Sequence, residues 1–570
     1  MSKQILTASS IITMNPDKPR ATAVAIDDDR IVEVGSLEEC QAKLADATVV
    51  DLGDTVLTPG FIEPHSHPLL SGISIMAPAH YIAPWVAPTW DDVVAIFKKA
   101  LAESPADASL AFFGFDKLLH GVDAPTAATL DPIFGDRLAG VIDNSGHAAY
   151  VTSAVVKALG WDENPPENPV GGSYGRNADG SLDGTAEEVS AILAITTPVL
   201  AKMGGSPLHQ AAEFLALMSS RGITSTSEMT YAKDYEAGYQ ALFSMPGCPV
   251  RISLYHMSTD PTCGDKVDLG IDPSRIRKQG IKLWADGSPW TGNIATSFDY
   301  LDTPTVKRAG IPLQTGGTKA MNYTREQLDA ILDKYAPLGW QMSFHVNGDI
   351  GLDIVLDAYE YALVKHNLMG TDHRWRIEHV GAGRGEQFQR AASLGVIASM
   401  APFQFYYWGD LLDGQMFETQ IGANWGRFKA AFDAGVRPSF HNDGSVSPPN
   451  PLLNMQTAVT RQTSSGKVHG IENAVTLDEA LAAHTTNAAY ILHRDHEIGS
   501  IEVGKYADFT ELSADPYKVA PETLAKDVAV KGTWSSGVRV DLDAFLGGGA
   551  ATDGAPHQHL AAKAQEDKCC

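Results

Sequence analysis

The segment Leu57 to His67, LTPGFIEPHSH, ends an apolar run with two histidines one residue apart. Side chains alternate between the two faces of an extended strand, so His65 and His67 are predicted to point the same way. Two imidazoles on one face are suitable ligands for a divalent metal. Taken alone, the pair is weak evidence, because such histidines are more often solvated or core residues, so the other ligands must be sought elsewhere in the chain.

Further polar residues end or follow other short apolar runs. They are Lys282 with Asp286, His345, His379 and Asp443. Each has a structural interpretation: a core histidine, a helix N-cap for Asp443 before Gly444, or a buried stem for Lys282 with its ammonium reaching solvent. Their joint occurrence at the ends of such runs predicts a divalent-metal site, with zinc as the first candidate.

Eight β-branched apolar runs carry or precede these residues, and a helical pattern follows each. The runs are Leu57–Glu63, Gly222–Met229, Val250–Met257, Gly280–Asp286, Gln341–Val346, Trp375–Val380, Gly395–Pro402 and Val436–Asp443. Strands that alternate with helices predict parallel βαβ units, and eight such units predict a (β/α)8 TIM barrel, here over residues 57–495. Active sites of these barrels lie at the carboxyl ends of the strands, where the polar residues fall.

The chain between the first two runs is too long for an ordinary loop. Residues of about 70–215 contain strand-like pieces of their own, Leu110–Phe115 and Gly140–Asn144. We therefore predict a large insertion after the first strand, placed over the carboxyl end of the barrel where it can cover the active site.

Both ends of the chain carry short alternating strands. Residues 1–56 and 496–545 are predicted to form one small β-sandwich domain, because the same strand-and-turn pattern opens and closes the sequence. The Gly-rich residues 546–570, which include the terminal Cys569 and Cys570, are predicted to be a disordered tail.

The overall composition is that of a soluble globular protein. Of 570 residues, 44% are hydrophobic and 20% charged, and the formal net charge is −26. Such an acidic balance argues against nucleic acid or an anionic membrane as the main partner. The five cysteines form no CxxC motif, and the N-terminus has no long apolar core, so we expect a cytoplasmic protein without a disulfide framework.

Seven segments together resemble the metal-dependent amidohydrolase superfamily and, more narrowly, its YtcJ-like branch, which includes N-substituted formamide deformylase. They are TPGFIEPHSH, SGHAAYVTSAVVKALG, GIKLWADGS, HVNGDIGLDIVLDAYE, RIEHV, SFHNDGSVSPPNPL and GSIEVGKYADFTEL, which lie between residues 58 and 512, and the resemblance extends over residues of about 5–540. The resemblance implies that His65, His67, His345 and His379 are metal ligands and that Asp443 is a ligand or the catalytic base. It also implies one or two ions, with Lys282 either carboxylated to bridge two of them or unmodified beside one.

The sequence departs from the branch in the segments around His345 and Asp443. HVNGD stands where HAIGD is more usual, and HNDGSV stands where GSDxPV is usual, so His441 and Asn442 are unusual neighbours of the aspartate. Ser288-Pro289-Trp290 likewise replaces the usual residues after the ADG of the fourth strand. These differences concern the substrate pocket more than the chemistry.

Several residues outside the ligand set are candidates for substrate contact. His147, in the NSGH segment of the insertion, could hydrogen-bond the substrate carbonyl or be purely structural. Aromatic residues are candidates for lining a pocket at the mouth of the barrel: Trp85, Trp290, Phe403, Tyr406, Tyr407 and Trp408. On a core helix, the same cluster after the seventh strand would be simple packing; we favour a loop and expect a small-molecule substrate with an apolar or aromatic group.

The parts predict hydrolysis of a C–N bond in an amide, an N-substituted formamide or a cyclic amide. Asp443 would take a proton from a metal-activated water and deliver it to the leaving nitrogen. Deamination or C–O bond hydrolysis uses the same activated water and remains an alternative. A non-catalytic binding or regulatory relative with the same fold is a second alternative, and a homodimer is left open.

Overall fold

The computed structural model describes residues 3–169, 172–314 and 316–547. At its centre eight parallel strands hydrogen-bond in chain order around a nearly closed barrel. Barrel strands 1 to 8 are Phe61–Glu63, Ile223–Tyr231, Arg251–Met257, Ile276–Trp284, Gln341–Val346, Arg376–His379, Ile397–Met400 and Ser439–Phe440. Each lies within or beside one of the eight predicted runs, which confirms the barrel.

Strand 1 is shorter than predicted. The run Leu57–Glu63 divides at Gly60: Val56–Pro59 pairs within a separate sheet, and only Phe61–Glu63 belongs to the barrel. A Cβ on Gly60 would lie 2.0 Å from Oγ1 of Thr224, so a side chain at this position would collide with strand 2. The barrel closes between strands 8 and 1 through the backbone N–H of Asn442, which donates to Oε1 of Glu63 at 2.6 Å.

Helices cover the barrel after most strands. Those from strand 2 onward are Glu236–Ser244, Pro304–Arg308, Arg325–Tyr335, Asp349–Lys365, Gly385–Ser393, Pro402–Leu412, Thr419–Gly422, Phe428–Ala434, Pro451–Thr460, Leu477–Ala483 and Thr486–Ile491. The connection between strands 3 and 4 differs from the prediction, because residues 258–275 contain no helix. Two prolines, Pro261 and Pro273, with Gly264 and Gly270, interrupt any helical run there.

The long segment between strands 1 and 2 has a sheet of its own. Its six strands hydrogen-bond in the order Ser173–Arg176, Leu182–Glu187, Ala148–Val151, Ala139–Asp143, Leu110–Phe115 and His80–Tyr81. Its helices are Pro68–Ile75, Trp90–Glu103, Ala127–Phe134, Ser153–Ala158, Val189–Lys202 and Pro207–Ser220. The two strand-like pieces expected in the insertion, 110–115 and 140–144, are thus neighbouring strands of one sheet.

Strands from both ends of the chain also pair with one another. They are Lys3–Ile12, Arg20–Asp27, Arg30–Gly35, Thr48–Asp51, Val56–Pro59, Phe509–Leu512, Val530–Ser535 and Val538–Arg539. All eight belong to one hydrogen-bonded sheet, so a division into the two layers of a sandwich stays a prediction. Three α-helices begin in the described residues of these terminal segments: Leu37–Lys43, Leu524–Asp527 and Leu542–Gly547.

The predicted tail lies mostly outside the described residues. Its first residues, 546 and 547, end the helix Leu542–Gly547, and residues 548–570 are not described. Cys40, Cys248 and Cys263 are buried free thiols. Among the described residues, no single helix is long and apolar enough to span a membrane. The helices Ser190–Lys202 and Pro207–Ser220 reach that length and apolarity only when taken together, and the pair is bent by 103°.

Candidate active site

His65 and His67 lie just beyond strand 1 rather than within it. Strand 1 ends at Glu63, and His67 directly precedes the helix Pro68–Ile75. The alternation argument therefore does not apply to them, yet both imidazoles face the same carboxylate. Nε2 of His65 lies 3.5 Å and Nε2 of His67 lies 3.2 Å from Oδ1 of Asp443.

These three side chains have the spacing of metal ligands. Two ligand atoms about 2.0–2.1 Å from a tetrahedral ion lie about 3.3 Å apart. Oδ1 of Asp443 is buried and accepts no aligned hydrogen bond, although both imidazoles are close. Burial raises the pKa of Asp443, but His65 and His67 outweigh it and hold that pKa well below its usual value, so the carboxylate stays ionised.

A second group of three potential ligands shares His65. It contains His379, at the end of strand 6, and His441, just after strand 8, and all three side chains are buried. Nε2 of His441 lies 3.1 Å from Nδ1 of His379, while the His441 ring stacks on His65 at 4.7 Å between centroids. Nε2 of His379 is buried and has no hydrogen-bond partner among the described residues, so it is free to bind a cation.

A buried carboxylate orients His65. Oε2 of Glu378 lies 2.7 Å from Nδ1 of His65, and Arg376 binds both carboxylate oxygens of Glu378. Ser343 donates to Oε1 of the same carboxylate at 2.7 Å. Because Nδ1–H of His65 donates to Glu378, its Nε2 keeps a lone pair for a metal, as is usual for ligating histidines.

Lys282 and His345 lie beside these groups. Nζ of Lys282 is 3.3 Å from Nε2 of His65, and burial lowers the pKa of Lys282 to about 8. Nε2–H of His345 donates to the carbonyl of Gly287 at 3.0 Å, and its ring lies 4.5 Å from that of His379. Burial lowers the pKa of His345 to about 3, so its imidazole is neutral.

The insertion contributes His147 to the same region. Its ring lies 6.2 Å from the ring of His345, and Nδ1 is 2.9 Å from Oε2 of Glu188. Asn293, in the connection after strand 4, donates to Oε1 of Glu188 at 2.8 Å, so the insertion is hydrogen-bonded to the barrel here. Burial opposes protonation of His147, but the Glu188 carboxylate outweighs it and raises the pKa of His147.

The aromatic residues cluster beside the histidines, but on a helix. Phe403 to Trp408 belong to the helix Pro402–Leu412, so the predicted loop is wrong: Pro402 at the first turn starts a helix directly after strand 7. Trp408 is fully buried and stacks on Trp290 at 4.4 Å. The ring centroids of Trp85 and Tyr407 lie 4.2 Å apart, and those of Phe403 and His441 lie 6.3 Å apart. The second contact connects the aromatic cluster to the histidines.

Three residues of the site were not among the predicted ones. His441 could have been suspected from its unusual place beside Asn442 and Asp443. Glu378 carries a weaker signal, because its alternation with Arg376 in RIEH places both on one face of a buried strand. Glu188 lies in an ordinary acidic pair within the insertion, and nothing in the sequence distinguishes it.

The donor set fits a divalent metal. Imidazole nitrogens and a carboxylate are the ligands that zinc and related ions take, and the potential ligand atoms within each group of three lie within 4.8 Å of one another. The buried, unpartnered Nε2 of His379 and Oδ1 of Asp443 would each gain a partner from a cation. Such orphaned atoms would be costly in a purely structural cluster.

Relatives of known sequence are similar to this chain over nearly its whole length. The chain is 27% identical over 547 residues to N-substituted formamide deformylase of Arthrobacter pascens, covering 93% of this chain and 96% of that protein. It is 24% identical to YtcJ of Bacillus subtilis, with coverage of 92% and 96%. It is also 26% identical to LONG AFTER FAR-RED 3 of Arabidopsis thaliana, with coverage of 92% and 89%.

Solved structures support the fold. An uncharacterized metal-dependent hydrolase from Pyrococcus horikoshii superposes with a TM-score of 0.69 at 22% identity, covering 91% of this chain and 99% of that one. The profile of the amidohydrolase family matches residues 48–541, nearly the whole of the described chain. The chain therefore belongs to the amidohydrolase family, within its YtcJ-like branch.

Proposed function

We propose that this protein is a metal-dependent amidohydrolase that hydrolyses the C–N bond of an amide, an N-substituted formamide or a cyclic amide. The observation that carries the proposal is the ionised, buried Asp443 carboxylate, which faces two imidazoles at ligand spacing without an aligned hydrogen bond. The relationship to N-substituted formamide deformylase over almost the full chain supports the choice of bond.

His65, His67, His379 and Asp443 would hold the ion, with His345 and Lys282 beside them as further ligands. A divalent ion bound there, zinc being our first choice, would lower the pKa of a coordinated water and polarise the scissile carbonyl. Whether Lys282 is carboxylated decides between one and two ions. Its Nζ lies 3.3 Å from Nε2 of His65, close enough for a carbamate on it to reach the same centre.

Asp443 is the proposed proton carrier. As an ionised carboxylate it takes one proton from the attacking water and then delivers it to the nitrogen as the C–N bond breaks, which yields a carboxylic acid and an amine. His147, held by Glu188, donates a hydrogen bond to the carbonyl oxygen as negative charge develops there. Its raised pKa favours the protonated, donating form.

The aromatic cluster supports a substrate with a sizeable apolar group beside the hydrolysed bond. Trp85, Tyr406 and Tyr407 are partly exposed, whereas Trp290, Phe403 and Trp408 are buried. Partly exposed aromatic side chains packed against buried ones are typical of the lining of a small-molecule site. The proposal places the protein in the cytoplasm, leaves a homodimer open, and includes neither nucleic acid nor a membrane as a partner.

The test is a panel of N-aryl and N-alkyl amides and formamides, assayed with zinc-loaded and chelator-treated protein. We expect turnover of N-substituted substrates with an apolar group, loss of that turnover on metal removal, and recovery on adding zinc back. Release of ammonia from an amine substrate, or hydrolysis of esters alone, would favour the deaminase or C–O alternatives. Absence of bound metal in the purified protein would favour a binding or regulatory role.

A further inference from the structure

His441 forms a hydrogen-bonded chain that no ligand role requires. Its Nδ1 lies 2.8 Å from Oγ of Ser399, on strand 7, and its Nε2 lies 3.1 Å from Nδ1 of His379. The other acceptor near Nδ1 of His379 is Oδ2 of Asp443, which at 3.8 Å is too distant for a hydrogen bond. His441 is therefore the hydrogen-bond partner of His379.

Protons can be placed along this chain in two ways. If His441 donates from Nε2, then Nδ1 of His379 accepts, and the proton of neutral His379 sits on Nε2. That nitrogen is buried and has no acceptor, so a donor would be left unsatisfied at a cost of about 1–3 kcal/mol. A protonated Nε2 also cannot bind a metal.

The opposite direction leaves no conflict. Nδ1–H of His379 donates to Nε2 of His441, and Nδ1–H of His441 donates to the Ser399 hydroxyl, which can accept it. Nε2 of His379 then carries a bare lone pair, as a metal ligand must. The same arrangement holds at His65, where Glu378 receives the Nδ1 proton.

We propose that His441 is a positioning residue of the metal centre, which accepts the Nδ1 proton of His379 and so fixes the tautomer that presents Nε2 to the ion. The inference rests on the proposed metal site and adds a role for a residue that stands where the branch usually has glycine. A carboxylate or carbonyl commonly serves this purpose for ligating histidines, and here an imidazole backed by Ser399 does so.

Two substitutions separate this role from packing and from direct ligation. His441→Phe keeps a ring against His65 but removes the acceptor, whereas His441→Gln offers an amide oxygen near the place of Nε2. The probe is Zn²⁺ itself, added to metal-free protein in competition with a chromophoric chelator. Absorption of the Co²⁺-loaded protein reports the ligand geometry, and thermal unfolding in chelator confirms that each variant folds.

We expect His441→Phe to weaken Zn²⁺ binding by about 10–100-fold and to alter the Co²⁺ spectrum, with His441→Gln close to the wild type on both measures. Equal loss in the two variants would overturn the proposal in favour of direct ligation by His441. Unchanged affinity in His441→Phe would overturn it in favour of simple packing. Failure of the wild type itself to bind Zn²⁺ would instead refute the proposed function.

If neither variant folds, Ser399→Ala tests the same chain from its other end. Loss of the hydroxyl removes the acceptor for Nδ1–H of His441 while leaving the imidazole in place. A smaller weakening of Zn²⁺ binding than in a direct-ligand variant such as His65→Ala would support the proposal. An affinity equal to the wild type would contradict it.

Discussion

The two ends of the barrel differ in how fully their buried polar groups are hydrogen-bonded. Near the start of strand 3, Arg251 meets Asp508 of the terminal sheet through two hydrogen bonds of 2.6 and 3.1 Å, and Ser536 binds the same guanidinium at 2.7 Å. At the carboxyl end, Asp443 and His379 each keep a buried atom that has no hydrogen-bond partner within the described part of the chain.

We interpret this difference as structural burial at one end and functional burial, under the proposed function, at the other. A buried ion pair with all its hydrogen bonds made is satisfied within the protein, and removing one partner leaves a costly unpaired charge. A cluster with orphaned nitrogens and oxygens is completed only by something that the chain does not supply. We therefore expect substitutions at the two ends to separate stability from activity.

Asp443→Asn should produce the largest effect. The amide cannot accept the proton of the attacking water, so kcat should fall by up to about 10⁴-fold, equivalent to about 5 kcal/mol of activation free energy. His65, His67 and His379 would still hold the ion, so bound metal, measured by elemental analysis, should largely remain, and the free energy of unfolding should not fall. Retained turnover would remove Asp443 as the base.

Asp508→Ala should have the reverse profile. Arg251 would be left buried and unpaired, which should lower the free energy of unfolding by about 3–5 kcal/mol in urea titrations. Zn²⁺ affinity and kcat of the protein that remains folded should stay at the wild-type level. The matched control is the double variant Arg251→Met/Asp508→Leu, in which no charge is left unpaired and most of the lost stability should return. A further loss of stability in the double variant would contradict this explanation.

The pH dependence of stability should also differ between the ends. Burial lowers the pKa of His441 to about 4 in the folded state, below the value of about 6.5 expected when unfolded. The unfolded chain thus binds more protons as the pH falls below 6.5, and the folded state loses about 2 kcal/mol at pH 5 through this group. In metal-free protein, the wild type should lose that much more than His441→Gln between pH 7 and pH 5.

Comparing variants is necessary because other groups act in the opposite direction. Burial raises the pKa of Asp286 to about 7, so this carboxyl stabilises the folded state as the pH falls from 7. Arg251 and hydrogen bonds from other groups lower the pKa of Asp508 despite its burial. This carboxylate is therefore ionised in both the folded and the unfolded state over that range. An Asp508 variant should therefore keep the wild-type pH profile; equal profiles for His441→Gln and the wild type would contradict the prediction.

The alternation of apolar runs with helical patterns was enough to predict the barrel. All eight runs contain or adjoin a barrel strand, since strands buried on both faces read as continuous apolar segments. The errors occurred where local backbone geometry decides the outcome. Gly60 splits one predicted strand between two sheets, Pro402 begins a helix rather than a loop, and residues 258–275 bridge two strands without a helix.

The site was predictable only in part for a related reason. Residues at strand ends, such as His65, His345 and His379, are marked by their position in the pattern. Residues that act through another side chain are not, because their partner is distant in sequence: Glu378 reaches His65 across 313 positions. His441 and Glu188 belong to this second class, and the roles proposed for them rest on distances in the structure.

The backbone conformation of His379 decides how many side chains of strand 6 reach the ring of His65. Consecutive strand residues ordinarily face opposite sides, yet Glu378 and His379 both contact the ring of His65. His379 achieves this with a φ of +67°, a left-handed conformation that costs a non-glycine residue about 1 kcal/mol or more. The left-handed conformation at the last residue of strand 6 thus directs two neighbouring side chains, instead of one, to the same point. The convergence of these side chains is in that sense set by the main chain of strand 6.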